Sequence, residues 1–127
     1  MGNYSTNNFE DLEAWQKSID LAVKIYSMSK SFPKDELFGI TSQIKRAVSS
    51  ISANLAEGYG RHGYKEKIQF YKIANGSLLE VKSFCYLSNK LGYISKEELD
   101  DLLSKIVTNQ KLINALIRSV RDKYEVK

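Results

Sequence analysis

One cysteine, one proline and one histidine are all that 127 residues hold of the types that constrain a fold or a site most sharply. A single cysteine excludes an intramolecular disulfide and any zinc site built on cysteines. Cys85 stands among Phe84, Tyr86 and Leu87, where a small buried hydrophobe is expected. The lone His62, in Gly60-Arg61-His62-Gly63, is joined by no phosphate-cradling glycine loop, metal-ligand cluster or nucleophile elbow. It reads as a solvated loop residue, and no catalytic residue, metal or cofactor is expected. No apolar run approaches the roughly 20 residues that span a bilayer, and no basic-then-apolar leader opens the sequence. A cytoplasmic protein without membrane contact is therefore expected.

With Pro33 the only strong helix breaker and no strand patterning, nearly everything else can be helical. Residues 1–8 read as a flexible polar N-terminus. One domain is expected over residues 9–124, with helices at about 9–31, 36–58, 64–91 and 95–124. Asn8 is a good N-cap for the first, followed by the apolar stripe Leu12, Trp15, Ile19, Ala22, Val23 and Tyr26. Leu37, Ile40, Ile44, Val48, Ile51 and Leu55 mark the second, which runs out where Gly58 and Gly60 can turn left-handed. The third carries two seams: Ile68, Tyr71, Ala74, Leu78, Val81 and Cys85, and beside it Phe70, Ile73, Phe84, Leu87 and Leu91. The fourth opens on a capping box, Ser95 to Glu98, and buries Leu99, Leu102, Leu103, Ile106, Ile113, Leu116, Ile117 and Val120. Short connections join these segments, so an all-α, antiparallel up-down-up-down four-helix bundle is predicted.

The second helix is unusual away from its stripe. From Ala47 to Ala56 it has no charged side chain, although a helix facing water is normally charged on its outer side. Around Gly76 the third helix is likewise uncharged, and glycine inside a helix costs about 1 kcal/mol relative to alanine. Either the two patches face each other within one bundle, or they meet a neighbouring subunit. Helices two and three together carry more uncharged surface than one core can bury, which favours the second. The candidate subunit-interface residues are Ala47, Ser50, Ala53, Asn54, Glu57, Gly76 and Ser77. Glu57, in apolar surroundings one turn from Asn54, reads as a polar tie at a helix end and, if buried, needs a basic partner such as Arg46, Arg61 or Lys65 from its own or a neighbouring chain.

The net charge of +4 is unevenly spread, with six bases against two acids in residues 41–74 and six against three in residues 101–127. The candidate contacts to RNA or DNA phosphates are Lys45, Arg46, Arg61, Lys65, Lys67, Lys72, Arg118, Arg121 and Lys123. The competing expectation is a scaffold that presents a groove to a protein partner.

Phe38-Gly39-Ile40-Thr41-Ser42-Gln43-Ile44-Lys45-Arg46-Ala47, then Ser50-Ile51 and Asn54-Leu55-Ala56-Glu57-Gly58, resembles the four-helix-bundle proteins encoded in 23S ribosomal RNA intervening sequences. Phe70-Tyr71-Lys72-Ile73-Ala74, Gly76-Ser77-Leu78-Leu79-Glu80 and Leu91-Gly92-Tyr93-Ile94 extend the likeness, which covers about residues 9 to 120. The chain departs from it in having Ile51-Ser52-Ala53-Asn54 where Ile-Pro-Ser-Asn is common, and Tyr64 where a serine often caps the third helix. The resemblance implies a bundle that assembles into a ring-like homopentamer. In a related branch, the accessory proteins of diversity-generating retroelements, it implies a basic surface that binds nucleic acid and a reverse transcriptase. The modest charge places this chain nearer the ribosomal-insert branch.

Overall fold

The helical periodicity resolves into four helices in the computed structural model, which describes residues 8–125: α1 (Glu13–Ser29), α2 (Ile40–Tyr59), α3 (Tyr64–Lys90) and α4 (Lys96–Glu125). Among the described residues there is no strand, and no helix is long and apolar enough to cross a membrane. Each helix packs on the next and α4 returns to α1, while the diagonal pairs α1/α3 and α2/α4 do not approach. Of the expected flexible N-terminus, residues 1–7 lie outside the described residues.

Two helices start later than the sequence suggests. Phe9–Asp11 is a 3₁₀ turn with no side-chain cap from Asn8, and Leu12 is extended (ψ 123°) before α1 begins. The break lets Phe9 fold back edge-on against Trp15, ring centroids 5.2 Å apart. Lys34–Glu36 is a second 3₁₀ turn, and Gly39 leaves the helical region, so α2 begins at Ile40 rather than 36 and Leu37 is exposed. At the other end of α2, Gly60 is right-handed (φ −79°) and Gly58 is inside the helix; neither stops it by a left-handed turn. Gly92 does take that conformation (φ 81°). There the N–H of Tyr93 bonds the Ser88 carbonyl and that of Gly92 the Asn89 carbonyl, closing the last turn of α3. The capping box forms: Glu98 Oε1 accepts from the Ser95 N–H and Ser95 Oγ from the Glu98 N–H.

The core is a ladder from all four helices, with Leu21 and Ile25, Ile44, Ile51 and Leu55, Tyr71 and Leu78, and Leu102, Ile106 and Ile113 all but excluded from water. On α1 the buried stripe is Ala14, Ser18, Leu21, Ile25 and Met28, one position round from the predicted one. Trp15 and Ala22 only pack against its edge, and Val23 and Tyr26 face solvent. Ser18 sits in that stripe without penalty because its hydroxyl donates to the Trp15 carbonyl. On α3 the first predicted seam is buried, with Ile68 at its edge, but Ile73, Leu87 and Leu91 of the second are exposed.

Side-chain hydrogen bonds cross every seam, among them Tyr26 with Ser49 (α1–α2, 3.2 Å), Ser77 to Ser50 (α2–α3, 3.0 Å), Asn75 to Asn114 (α3–α4, 3.2 Å) and Asn109 to the Ala14 carbonyl (α4–α1, 3.1 Å). At one end, Tyr93 donates to Glu36 (2.7 Å) and its ring lies 5.3 Å from that of Phe32, joining the α3–α4 turn to the α1–α2 connection. Cys85 is fully buried, and burial pushes its thiol up to about 12. It is therefore a protonated, shielded thiol. A thiol reagent at pH 8 should label it at a negligible rate in the folded protein and fully once the chain is unfolded in guanidinium. Rapid labelling of the folded form would contradict this burial.

Candidate nucleic-acid and subunit interfaces

At the end of the bundle opposite the Tyr93–Glu36 contact, one turn and two helices deliver cations to one hollow. The short turn between α2 and α3 presents Arg61 and His62, the first turn of α3 brings Lys67, and the last turns of α4 bring Ser119, Val120 and Lys123. The open hollow they line measures about 490 Å³, and Tyr71, Leu116 and Val120 supply its apolar wall. None of the described residues lining it is acidic. Lys67 donates to the Tyr59 carbonyl at the end of α2 (2.7 Å), a favourable place for a cation at a helix C-terminus. Burial, and then the neighbouring Lys123, hold its ammonium below the usual lysine value. Each cation lies near an aromatic ring: Arg61 over Phe70 (4.9 Å), Lys67 over Tyr59 (5.2 Å) and Lys123 over Tyr124 (5.4 Å). Tyr64 stacks on Tyr124, centroids 5.3 Å apart and nearly parallel, which ties the start of α3 to the end of α4.

Of the nine predicted phosphate contacts, Arg61, Lys67 and Lys123 thus converge. Lys65 and Lys72 line a separate shallow hollow with Tyr64, Ile68 and Gln69. Lys45 sits over the Tyr26 ring (5.1 Å) and lines a hollow with Lys30, Lys34 and Phe32, among residues of the α1–α2 connection. Arg46, Arg118 and Arg121 are exposed singly. His62 is exposed in the α2–α3 turn, as expected of a solvated loop residue, and it lines the hollow beside Tyr59, Tyr71 and Tyr124, none of which the sequence singled out as a contact. Their one sequence signal is the interleaving of tyrosine with base in Tyr59-Gly60-Arg61, Tyr64-Lys65 and Lys123-Tyr124.

The small-residue patches are split. Ala47 is buried in the core of its own chain, so it is not offered to a neighbour. Ser50 and Ser77 meet each other, and Asn54 donates to the Ser50 carbonyl and hydroxyl. That much of the two patches faces inward. Glu57 is exposed and forms an ion pair with Arg61, so it needs no partner from elsewhere. Ala53 and Gly76 remain outside. A Cβ added at Gly76 would meet nothing within 4 Å, so no backbone of the same chain explains this glycine. It lies on an α3 face that exposes Ile73, Leu79, Tyr86, Leu87 and Leu91. On the diagonal helix, Ile19, Ala22, Val23 and Tyr26 of α1 line an almost wholly apolar groove.

The family model for 23S rRNA-intervening sequence protein matches residues 10–115. Among solved structures, the chain is similar to a protein of unknown function from the S23 ribosomal protein family of Bacteroides thetaiotaomicron. The two are 24% identical and superpose with a TM-score of 0.76 over 83% of this chain and 95% of that one, a likeness of fold. No curated protein matches the chain.

Proposed function

The chain belongs to the 23S rRNA-intervening sequence protein family, and from that premise we propose that it is a non-enzymatic, self-assembling cytoplasmic protein that contacts RNA or DNA through its basic residues. The observation that carries the assembly is the outer side of α3, uncharged from Ile73 to Leu79 around Gly76 and interspersed with Lys72, Glu80 and Lys90. Five large apolar side chains are exposed there beside a glycine that its own chain does not require. A face of this kind on a soluble monomer marks a binding surface. The apolar groove of α1 lies on the diagonal helix. A contact joining two unlike faces is heterologous, and when its rotation closes it generates a ring, in keeping with the homopentamer that the family resemblance implies. The antiparallel up-down-up-down course is supported by the Tyr93–Glu36 hydrogen bond between the first and third connections, with the second at the other end.

Light scattering tests the assembly. A mass about five times the 14.5 kDa of one chain is expected, and a monomer would overturn it. Anisotropy with a labelled single strand tests the polyanion contact. A strand that places one phosphate at each of the three basic hollows should lose roughly twentyfold in affinity when salt rises from about 50 to 200 mM, and an affinity indifferent to salt would overturn the contact. The α1 groove favours a second reading, a scaffold for a protein partner such as a reverse transcriptase. Recovery of a partner after nuclease treatment, lost on Val23→Glu, would support that reading.

A further inference from the structure

The hollow at the α2–α3 turn is more selective than a basic patch. We propose that it is a phosphate-binding site, in which Arg61, Lys67 and Lys123 hold one phosphate group, either inorganic phosphate or a phosphate of a nucleic-acid strand. For the strand as source, this rests on the polyanion contact proposed above. For phosphate itself it stands on the site alone.

Three observations carry it. Two ammonium groups and a guanidinium share one cavity with no acid in its lining; Glu57 pairs with the guanidinium from outside it, and the two ammonium groups, of Lys67 and Lys123, repel each other. Lys67 already feels this, since the charge of Lys123 helps to hold its ammonium below the ordinary value. The wall of Tyr71, Leu116 and Val120 lowers the local dielectric, which strengthens attraction to an anion beyond that of an exposed lysine.

The donors suit a tetrahedral oxyanion. Lys67 gives one of its three N–H bonds to the Tyr59 carbonyl, leaving two for a ligand. Arg61 is held by Glu57 through one Nη and keeps its other donors, which match two phosphate oxygens at once. A base has less to bind. The Tyr59 ring carries Lys67, and that of Tyr124 carries Lys123 and Tyr64. The site accordingly reads phosphate without preference among bases.

The test is a titration of the full-length protein with inorganic phosphate, followed by NMR at the Lys67 and Lys123 side chains, with chloride at equal ionic strength as reference. Saturable shifts at both lysines are expected, weakened at least tenfold in Lys123→Gln and unchanged in Lys96→Gln. Lys123 is exposed on α4, so its loss leaves the fold intact, and circular dichroism checks this. Shifts that do not saturate, or that survive Lys123→Gln, overturn the proposal. A labelled dT strand and a labelled dA strand then identify the source. Equal affinities that fall in Lys123→Gln, with release by phosphate, assign the site to the strand backbone. Saturable phosphate binding with strand affinity unaffected by the variant assigns it to free phosphate. If phosphate fails to bind while strands still bind in a salt-dependent way, the pocket proposal is overturned and the polyanion contact stands.

Discussion

Gly58→Ala is expected to destabilise the bundle by up to about 2 kcal/mol, and Gly58→Val by more. The added Cβ would lie 2.8 Å from Phe70 Cβ and 2.8 Å from the Tyr71 ring. Phe70 Cβ is anchored to the α3 backbone, and Tyr71 is fixed in the core, so neither can swing away. Overpacking of this kind costs typically 1–3 kcal/mol, and the better helix propensity of alanine returns only about 1 kcal/mol of it. Gly60→Ala is the internal control. It too lies at the end of α2, but its φ is −79° and a Cβ there meets only ordinary contacts at 3.7 Å. It should be neutral or slightly stabilising. Thermal unfolding separates the two: a loss of several degrees for Gly58→Ala against none for Gly60→Ala. Equal melting temperatures would mean that α2 and α3 are not held together at this glycine.

A charge on the outer face of α3 should have the opposite profile, dissolving the assembly while leaving the chain folded. Leu87 is half exposed and belongs to the apolar face around Gly76. In an isolated chain Leu87→Glu is a surface change, worth within about 0.5 kcal/mol. Buried against a neighbour it leaves an unpaired carboxylate, which costs several kcal/mol per contact. Light scattering should therefore report a fall from the multimer to about 14.5 kDa, with helicity by circular dichroism unchanged. Gly76→Ala sharpens the result. With nothing within 4 Å of its Cβ, alanine should stabilise a lone chain by about 0.5–1 kcal/mol, unless a neighbouring backbone passes there. A multimer indifferent to both substitutions would remove α3 from the interface.

Much of this fold was legible because burial imposes a helical period. Tyr71, Ala74, Leu78, Val81 and Cys85 recur every three or four residues, and all are buried. The period misled on α1 because that helix carries two stripes. The more conspicuous one, with Trp15, Ile19, Val23 and Tyr26, lies at the edge of the core or outside it. The buried one hides Ala14 and a self-satisfied Ser18 among Leu21 and Ile25. Periodicity locates apolar faces but does not say whether the same chain covers them. Gly58 was misread for a similar reason: paired with Gly60 it looks like a helix stop, and only its contact with Phe70 and Tyr71 gives it another purpose. The cation hollow was the least legible feature, since Lys123 stands 56 positions after Lys67 in the chain. Charge counts found both basic segments, and packing alone brought them together.

The hydrogen bonds that cross the seams have a consequence for communication through the molecule. Adjacent residues of α2, Ser49 and Ser50, bind opposite neighbours, and Asn75 and Ser77 do the same for α3. Turning either helix by one residue, about 100°, would break both of its links at once. Helix rotation is thus a poor transmitter between the α2–α3 turn and the outer face of α3. Filling the hollow should leave the mass of the assembly unchanged, and assembly should leave phosphate affinity unchanged, the two ends of one reciprocal linkage.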